Sequence, residues 1–202
     1  MIAIIDYGVG NLFSLSSSLS YLGLENTITR DPQQIEQADH IILPGVGAFA
    51  DAYQKLEQTN LIDTIKQQTS NGKPLLGICL GMQLLFDKSY EYGEHKGLGL
   101  IHGEVCPIQD DLTQPLKVPH IGWNSLHFPK ENPLFQYNKE GDYVYYVHSF
   151  YAKNCQEDTI ATSEYDITIT GAVNKGSVYG TQFHPEKSGE VGLKILRAFA
   201  EL

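Results

Sequence analysis

Three four-residue stretches, Ile2-Ala3-Ile4-Ile5, His40-Ile41-Ile42-Leu43 and Leu75-Leu76-Gly77-Ile78, are apolar at almost every position. They are too short for helices and lack the polar alternation of a strand with one wet face. Both of their faces must therefore be covered by other parts of the chain. The segments between them have helical character. Asn11 can cap a helix carrying Leu12, Leu15, Leu19 and Leu22, with Gly23 as its stop. A weaker strand is expected over 26–29 and a short helix around Ile35, with further helices over 48–56 and 61–68. Another helix starts at Leu80 and runs toward Phe86. Apolar strands alternating with helices predict an α/β fold whose central sheet is mostly parallel, with helices on both faces.

The second half changes character. From Gly93 to Tyr151 it is rich in Gly, Pro and aromatics, and 160–163, 167–173 and 177–183 read as antiparallel strands. A smaller antiparallel sheet is expected beside the main one. A last amphipathic helix follows over about 189–202. No linker, repeat or low-complexity tract divides the 202 residues, so a single domain spanning 1–202 is expected.

Composition excludes several functions. With 14 basic and 24 acidic residues the net charge is −10, which argues against nucleic acid and against anionic membrane surfaces. No apolar run approaches the ~20 residues of a bilayer span, and the N-terminus reads as a strand and not a signal. The three cysteines, Cys79, Cys106 and Cys155, do not suggest a disulfide framework. A cytoplasmic globular protein is expected.

Chemistry concentrates at Gly77-Ile78-Cys79-Leu80-Gly81, a strand-to-helix turn with the layout of a nucleophile elbow and Cys in place of Ser. The flanking glycines permit a strained turn, and the helix start favours a thiolate. A buried structural cysteine is the competing reading. It is retained for Cys106 and Cys155, which lack these surroundings. Of seven histidines, His184 alone has an acid placed to orient it. His184-Pro185-Glu186 follows a strand, and an extended tripeptide would put both side chains on one side. Glu186 could then fix the ring while its other nitrogen faces Cys79. Pro44-Gly45-Val46-Gly47 follows the neighbouring strand, so an N–H of Gly45, Val46 or Gly47, together with that of Leu80, could stabilise an oxyanion. An ordinary glycine turn is the alternative there.

With these pieces assembled, the chain resembles the class I (triad) glutamine amidotransferases. Their Pro-Gly-x-Gly, Gly-x-Cys-x-Gly-x-Gln and His-Pro-Glu motifs appear here in order as 44–47, 77–83 and 184–186. Within that family the similarity is greatest to the branch that supplies ammonia for imidazole-ring formation in histidine biosynthesis. That likeness is carried by Asp6 to Leu12, Met82 to Phe86, Gly97 to Leu100, Pro119 to Asn124 and Val147 to Tyr151. The resemblance implies a flavodoxin-like fold without cofactor or metal, and L-glutamine as substrate. In this picture Cys79 attacks the glutamine carboxamide, His184 protonates departing ammonia, and a thioester is hydrolysed. It further implies that Gln83, Glu91, His148 and Ser149 hold glutamine. Asn11, Trp123 and Asn124 would face a (β/α)8-barrel cyclase in a heterodimer that receives the ammonia out of reach of solvent. On residues alone, Gln83 and Glu91 could be solvated polarity, Trp123 a core side chain and Asn11 only a helix cap. Phe150 stands where many members carry Tyr, which puts any contact through that hydroxyl in doubt.

Three other functions stay open at this level. A paralogous glutaminase could feed a different synthase, such as one modifying a surface sugar. A cysteine hydrolase or peptidase could use the same sheet edge, although Gln83 and the Pro-Gly-Val-Gly strand weigh against it. A non-catalytic regulatory subunit would not need an intact Cys79, His184 and Glu186.

Overall fold

The computed structural model describes residues Met1–Leu202. Its first half follows the expected alternation: β1 (Ile2–Ile5), α1 (Leu12–Tyr21), β2 (Asn26–Thr29), α2 (Pro32–Gln37), β3 (His40–Leu43), α3 (Phe49–Gln58), α4 (Ile62–Ser70), β4 (Leu75–Ile78) and α5 (Leu80–Leu84). The rest is strand-rich: β5 (Lys88–Ser89), β6 (His95–Lys96), β7 (Glu104–Pro107), β8 (His120–Ser125), β9 (Tyr143–His148), β10 (Phe150–Lys153), β11 (Thr159–Tyr165), β12 (Ile167–Lys175) and β13 (Val178–Thr181), closed by α6 (Gly189–Ala200).

Seven strands form the main sheet in the order β11-β12-β13-β4-β3-β1-β2. β2, β1, β3, β4 and β13 run parallel to one another, while β11 and β12 are antiparallel additions at one edge. The period of two sorts the central strands between two cores. Ala3, Ile5, Ile41, Leu43 and Leu75 pack with α3, α4 and α5 on one face. Ile2, Ile4, Ile42, Leu76 and Ile78 pack with α1 and α6 on the other. Burial on both faces is what the missing polar alternation demanded.

The second half departs from expectation in arrangement. The last three strands join the main sheet. All four residues of β13 are buried, and that strand lies beside β4 in the sheet interior, carrying β12 and β11 with it. The smaller sheets are two: a mixed four-stranded one, β10-β7-β5-β6, and an antiparallel ribbon, β8-β9. Helix α5 also stops earlier than expected. The carbonyls of Leu84, Leu85 and Phe86 are taken by the N–H groups of Leu98, Leu100, Ile101 and Gly99, so the segment after the helix caps it before it can continue. No helix is long and apolar enough to cross a membrane.

Candidate active site

The turn between β4 and α5 is built by backbone constraints. The Cys79 N–H donates to the Thr181 carbonyl of β13 at 2.7 Å, and the Cys79 carbonyl accepts from Gln83 N–H at 3.1 Å, opening the helix. Between those two bonds Cys79 adopts φ 55° and ψ −110°. A residue with a Cβ is costly there, by ~1–3 kcal/mol. The turn survives because its surroundings leave no alternative. A Cβ on Gly81 would lie 1.9 Å from the Leu43 carbonyl oxygen, and one on Gly45 would lie 2.7 Å from the Gly81 nitrogen. The elbow and the segment after β3 are thus in backbone contact. Gly45 is buried in that contact and does not border the cavity. Val46 and Gly47 continue past it to the cavity surface, where Leu80 joins them. The N–H groups of Val46, Gly47 and Leu80 donate to no other group of the chain. Tyr7 braces this segment by donating its hydroxyl to the Pro44 carbonyl at 2.6 Å. Burial, and then the charge of Cys79, push the Tyr7 hydroxyl far above its ordinary pKa, so it stays a donor.

His184 arrives from the neighbouring strand. Its N–H donates to the Tyr145 carbonyl of β9, and Ser188 Oγ donates to the His184 carbonyl while accepting from Tyr145 N–H. The tripeptide is not extended as expected. His184 itself is extended, but Pro185–Lys187 form a 3-10 turn with proline at its first position, where its fixed φ and missing N–H suit a helical start. The turn still brings Glu186 Oε1 to 2.8 Å from His184 Nδ1, with both side chains almost wholly buried. His184 Nε2 is sealed from solvent beside Cys79 and has no partner of good geometry. Burial opposes protonation of this ring, but the Cys79 sulfur and then the Glu186 carboxylate outweigh it and hold its pKa at about 9.

Cys79, His184, Val46, Gly47, Leu80, Gln83, Glu91, His148 and Ser149 all border one cavity of about 310 Å³. Other hollows exist on the surface. One of about 350 Å³ lies along β10 to β12 and is rich in threonine, but Cys155 there has no base beside it. The expected glutamine contacts divide. Gln83 donates through Nε2 to the Phe150 carbonyl and to Gln182 Oε1, both at 3.0 Å, leaving its own oxygen without a partner in the chain. Glu91 accepts from Phe49 N–H at 2.6 Å and so caps α3 while facing the cavity, and burial raises its pKa. His148 is not free for a ligand. Its Nδ1 lies 2.8 Å from the Phe150 carbonyl and its Nε2 lies 2.9 Å from His120 Nδ1. A carbonyl only accepts, so His148 carries its proton on Nδ1, and His120 must donate from its own Nδ1. At this place the backbone around Ser149 is what remains to meet a ligand. The Phe150 contribution also comes from its carbonyl, which needs no tyrosine hydroxyl.

The three residues expected on a partner face also separate. Trp123 is 56% exposed on the β8-β9 ribbon and is not a core side chain. Asn11 caps α1, accepting from Ser14 N–H, and is itself exposed. Asn124, one position past Trp123, points to the opposite side of its strand. Its Nδ2 contacts the Glu164 carbonyl and His120 Nε2, so its amide is held by the chain. Two buried polar residues were missed at the level of sequence, His120 and Gln182. Gln182 stands two positions before His184, and strand periodicity could have placed it on the same side.

Comparison with known proteins agrees with this geometry. The class-I glutamine amidotransferase family model matches residues 3–201. The imidazole glycerol phosphate synthase subunit HisH of Listeria monocytogenes serotype 4b (strain CLIP80459) is 52% identical, with 100% of this chain and 96% of that one covered. The HisH of Geobacillus kaustophilus is 51% identical over 98% and 95% of the two chains. Among solved structures, a glutamine amidotransferase superposes with a TM-score of 0.77 at 18% identity, covering 100% and 98%. The PurLQS structure from Thermotoga maritima gives 0.75 at 19%, covering 99% and 97%. The chain therefore belongs to the class-I glutamine amidotransferase family.

Proposed function

We propose that this chain is the glutaminase subunit of an imidazole glycerol phosphate synthase, acting in the cytoplasm as one domain that delivers ammonia to a (β/α)8-barrel cyclase. The observation that carries the chemistry is a nucleophile, an oriented base and free backbone donors around a single cavity. The assignment of the acceptor rests on the full-length likeness to HisH subunits.

In this reading the Cys79 sulfhydryl proton passes to His184, whose raised pKa favours the imidazolium. Sγ attacks the glutamine carboxamide carbon, forming the C–S bond and an oxyanion that the Leu80 N–H and an N–H of Val46 or Gly47 stabilise. One such donor is typically worth ~3 kcal/mol in the transition state. Collapse breaks the C–N bond, and His184 gives its proton to the leaving ammonia. Water then attacks the thioester while His184 takes up its proton, releasing glutamate and restoring Cys79. Glu186 steadies the ring throughout. Gln83, Glu91 and the backbone near Ser149 hold the substrate. Asn11 and the exposed Trp123 border the surface that meets the cyclase, and a wide aromatic suits such a contact.

Mixing the chain with a barrel cyclase and following glutamine-driven product tests this. Glutaminase activity low alone and much higher with the cyclase and its ligand is expected. Cys79→Ala should remove glutamine-dependent synthesis and leave ammonia-dependent synthesis intact. Glutamine turnover surviving in Cys79→Ala would overturn the assignment.

A further inference from the structure

Gln182 is fully buried one residue past the end of β13, in contact with both Cys79 and Gln83, which line the substrate cavity. Its Nε2 lies 3.8 Å from Cys79 Sγ, within hydrogen-bonding range of sulfur, and its Oε1 accepts from Gln83 Nε2 at 3.0 Å. Gln83 Nε2 gives its second proton to the Phe150 carbonyl, which also accepts from His148 Nδ1. The direction of this chain is set at its ends. A carbonyl cannot donate, so Gln83 must turn its NH2 toward Phe150. Gln182 must then offer its oxygen to Gln83, which leaves its NH2 for the sulfur. Reversing Gln182 would set two NH2 groups against each other in a buried site, and reversing Gln83 would set its oxygen against those of Phe150 and Gln182; either way polar groups that cannot bond would face each other. As a result the Gln83 oxygen, which has no partner in the chain and is not sealed from solvent, is turned toward the cavity.

We propose that Gln182 is a positioning residue for the glutaminase reaction. It holds the Gln83 amide so that an acceptor, and never a donor, meets an N–H group of the bound substrate, and it presents an N–H to the Cys79 sulfur. This rests on the glutaminase reading. The same arrangement makes the site selective for a substrate that brings N–H donors to the Gln83 position.

Gln182→Met keeps approximate volume and removes both polar groups, and Gln182→Asn keeps polarity but withdraws them by one methylene. In the complex with the barrel cyclase, both variants should raise KM for glutamine about tenfold, the effect of one hydrogen bond of ~1.4 kcal/mol. Gln83→Met should raise KM similarly, and the double variant Gln83→Met/Gln182→Met should raise it no further, because Gln182 acts on substrate through Gln83. Alkylation of Cys79 by iodoacetamide, measured on the chain alone, should slow several-fold in both Gln182 variants. KM and alkylation within twofold of wild type, a double variant whose KM effects multiply, or full recovery in Gln182→Asn would each overturn the proposal. The alkylation arm needs no turnover. A wild-type complex inactive on glutamine would sink the glutaminase reading, while the sulfur contact would still be decided.

Discussion

Acidification from pH 7.5 to 5.0 should destabilise this protein through two buried imidazoles. His120 and His148 are 3% and 5% exposed, and His120 lies stacked between Tyr146 and Tyr165. Burial lowers their pKa values to about 4 for His120 and about 3 for His148. Both rings therefore stay neutral in the fold at pH 5.0, while in the unfolded chain they take up protons below ~6.5. A folded pKa below the unfolded one means stability is lost as pH falls through the unfolded value. At pH 5.0, about 1.5 units below it, each ring costs ~2 kcal/mol at ~1.36 kcal/mol per unit. His184 works the other way. Its folded value of about 9 gives stability that is complete below ~6.5 and fades as pH rises through 9, so acidification from 7.5 returns on the order of 1 kcal/mol. The two rings win, and the net loss is on the order of 2–3 kcal/mol. Urea unfolding should show this as a midpoint about 1 M lower at pH 5.0, for an m-value of ~2 kcal/mol/M. Nitrogen-edited NMR of the histidines supplies the attribution. Both rings should remain neutral at pH 5.0 and carry their protons on Nδ1. A midpoint that holds or rises on acidification, or either ring titrating near 6.5, would refute the reasoning.

Other expectations follow from the same geometry. Cys79→Gly removes the Cβ from a left-handed backbone position, so it should raise Tm by several degrees, on the order of 1–3 kcal/mol, while removing glutaminase activity; scanning calorimetry reads the first and glutamate release the second. Glu186→Ala should lower kcat less than Cys79→Ala or His184→Ala, because an orienting group typically costs less than a nucleophile or base. It should also move the His184 titration below about 9, since the carboxylate is one of the groups holding it up.

The parallel sheet was legible because Ile2 to Ile5, His40 to Leu43 and Leu75 to Ile78 carry an all-apolar signal that only double-sided burial satisfies. Cys79 was legible for a local reason, as glycines and a strand–helix junction within five residues define the turn. What could not be read depends on distant neighbours. Whether β13 joins β4 or its own small sheet is decided by which interior strand is left unpaired, and no window of sequence shows that. The end of α5 is set by the segment from Gly97 to Ile101 folding back onto its carbonyls. The His-Pro-Glu pairing was read correctly through a wrong backbone shape, because an extended strand and a 3-10 turn can both bring residues two apart together. Asn124 and His148 have polar groups that appear available in sequence, and the fold uses both on His120.

Everything proposed for this site depends on a covalent bond to one sulfur. Acid-quenching the complex with the barrel cyclase during glutamine turnover, followed by peptide mass spectrometry, reads that bond. A glutamyl adduct is expected on the peptide containing Cys79, accumulating when thioester hydrolysis is slowed and absent in Cys79→Ala. Turnover with no adduct on Cys79, or an adduct on Cys106 or Cys155 instead, would contradict it.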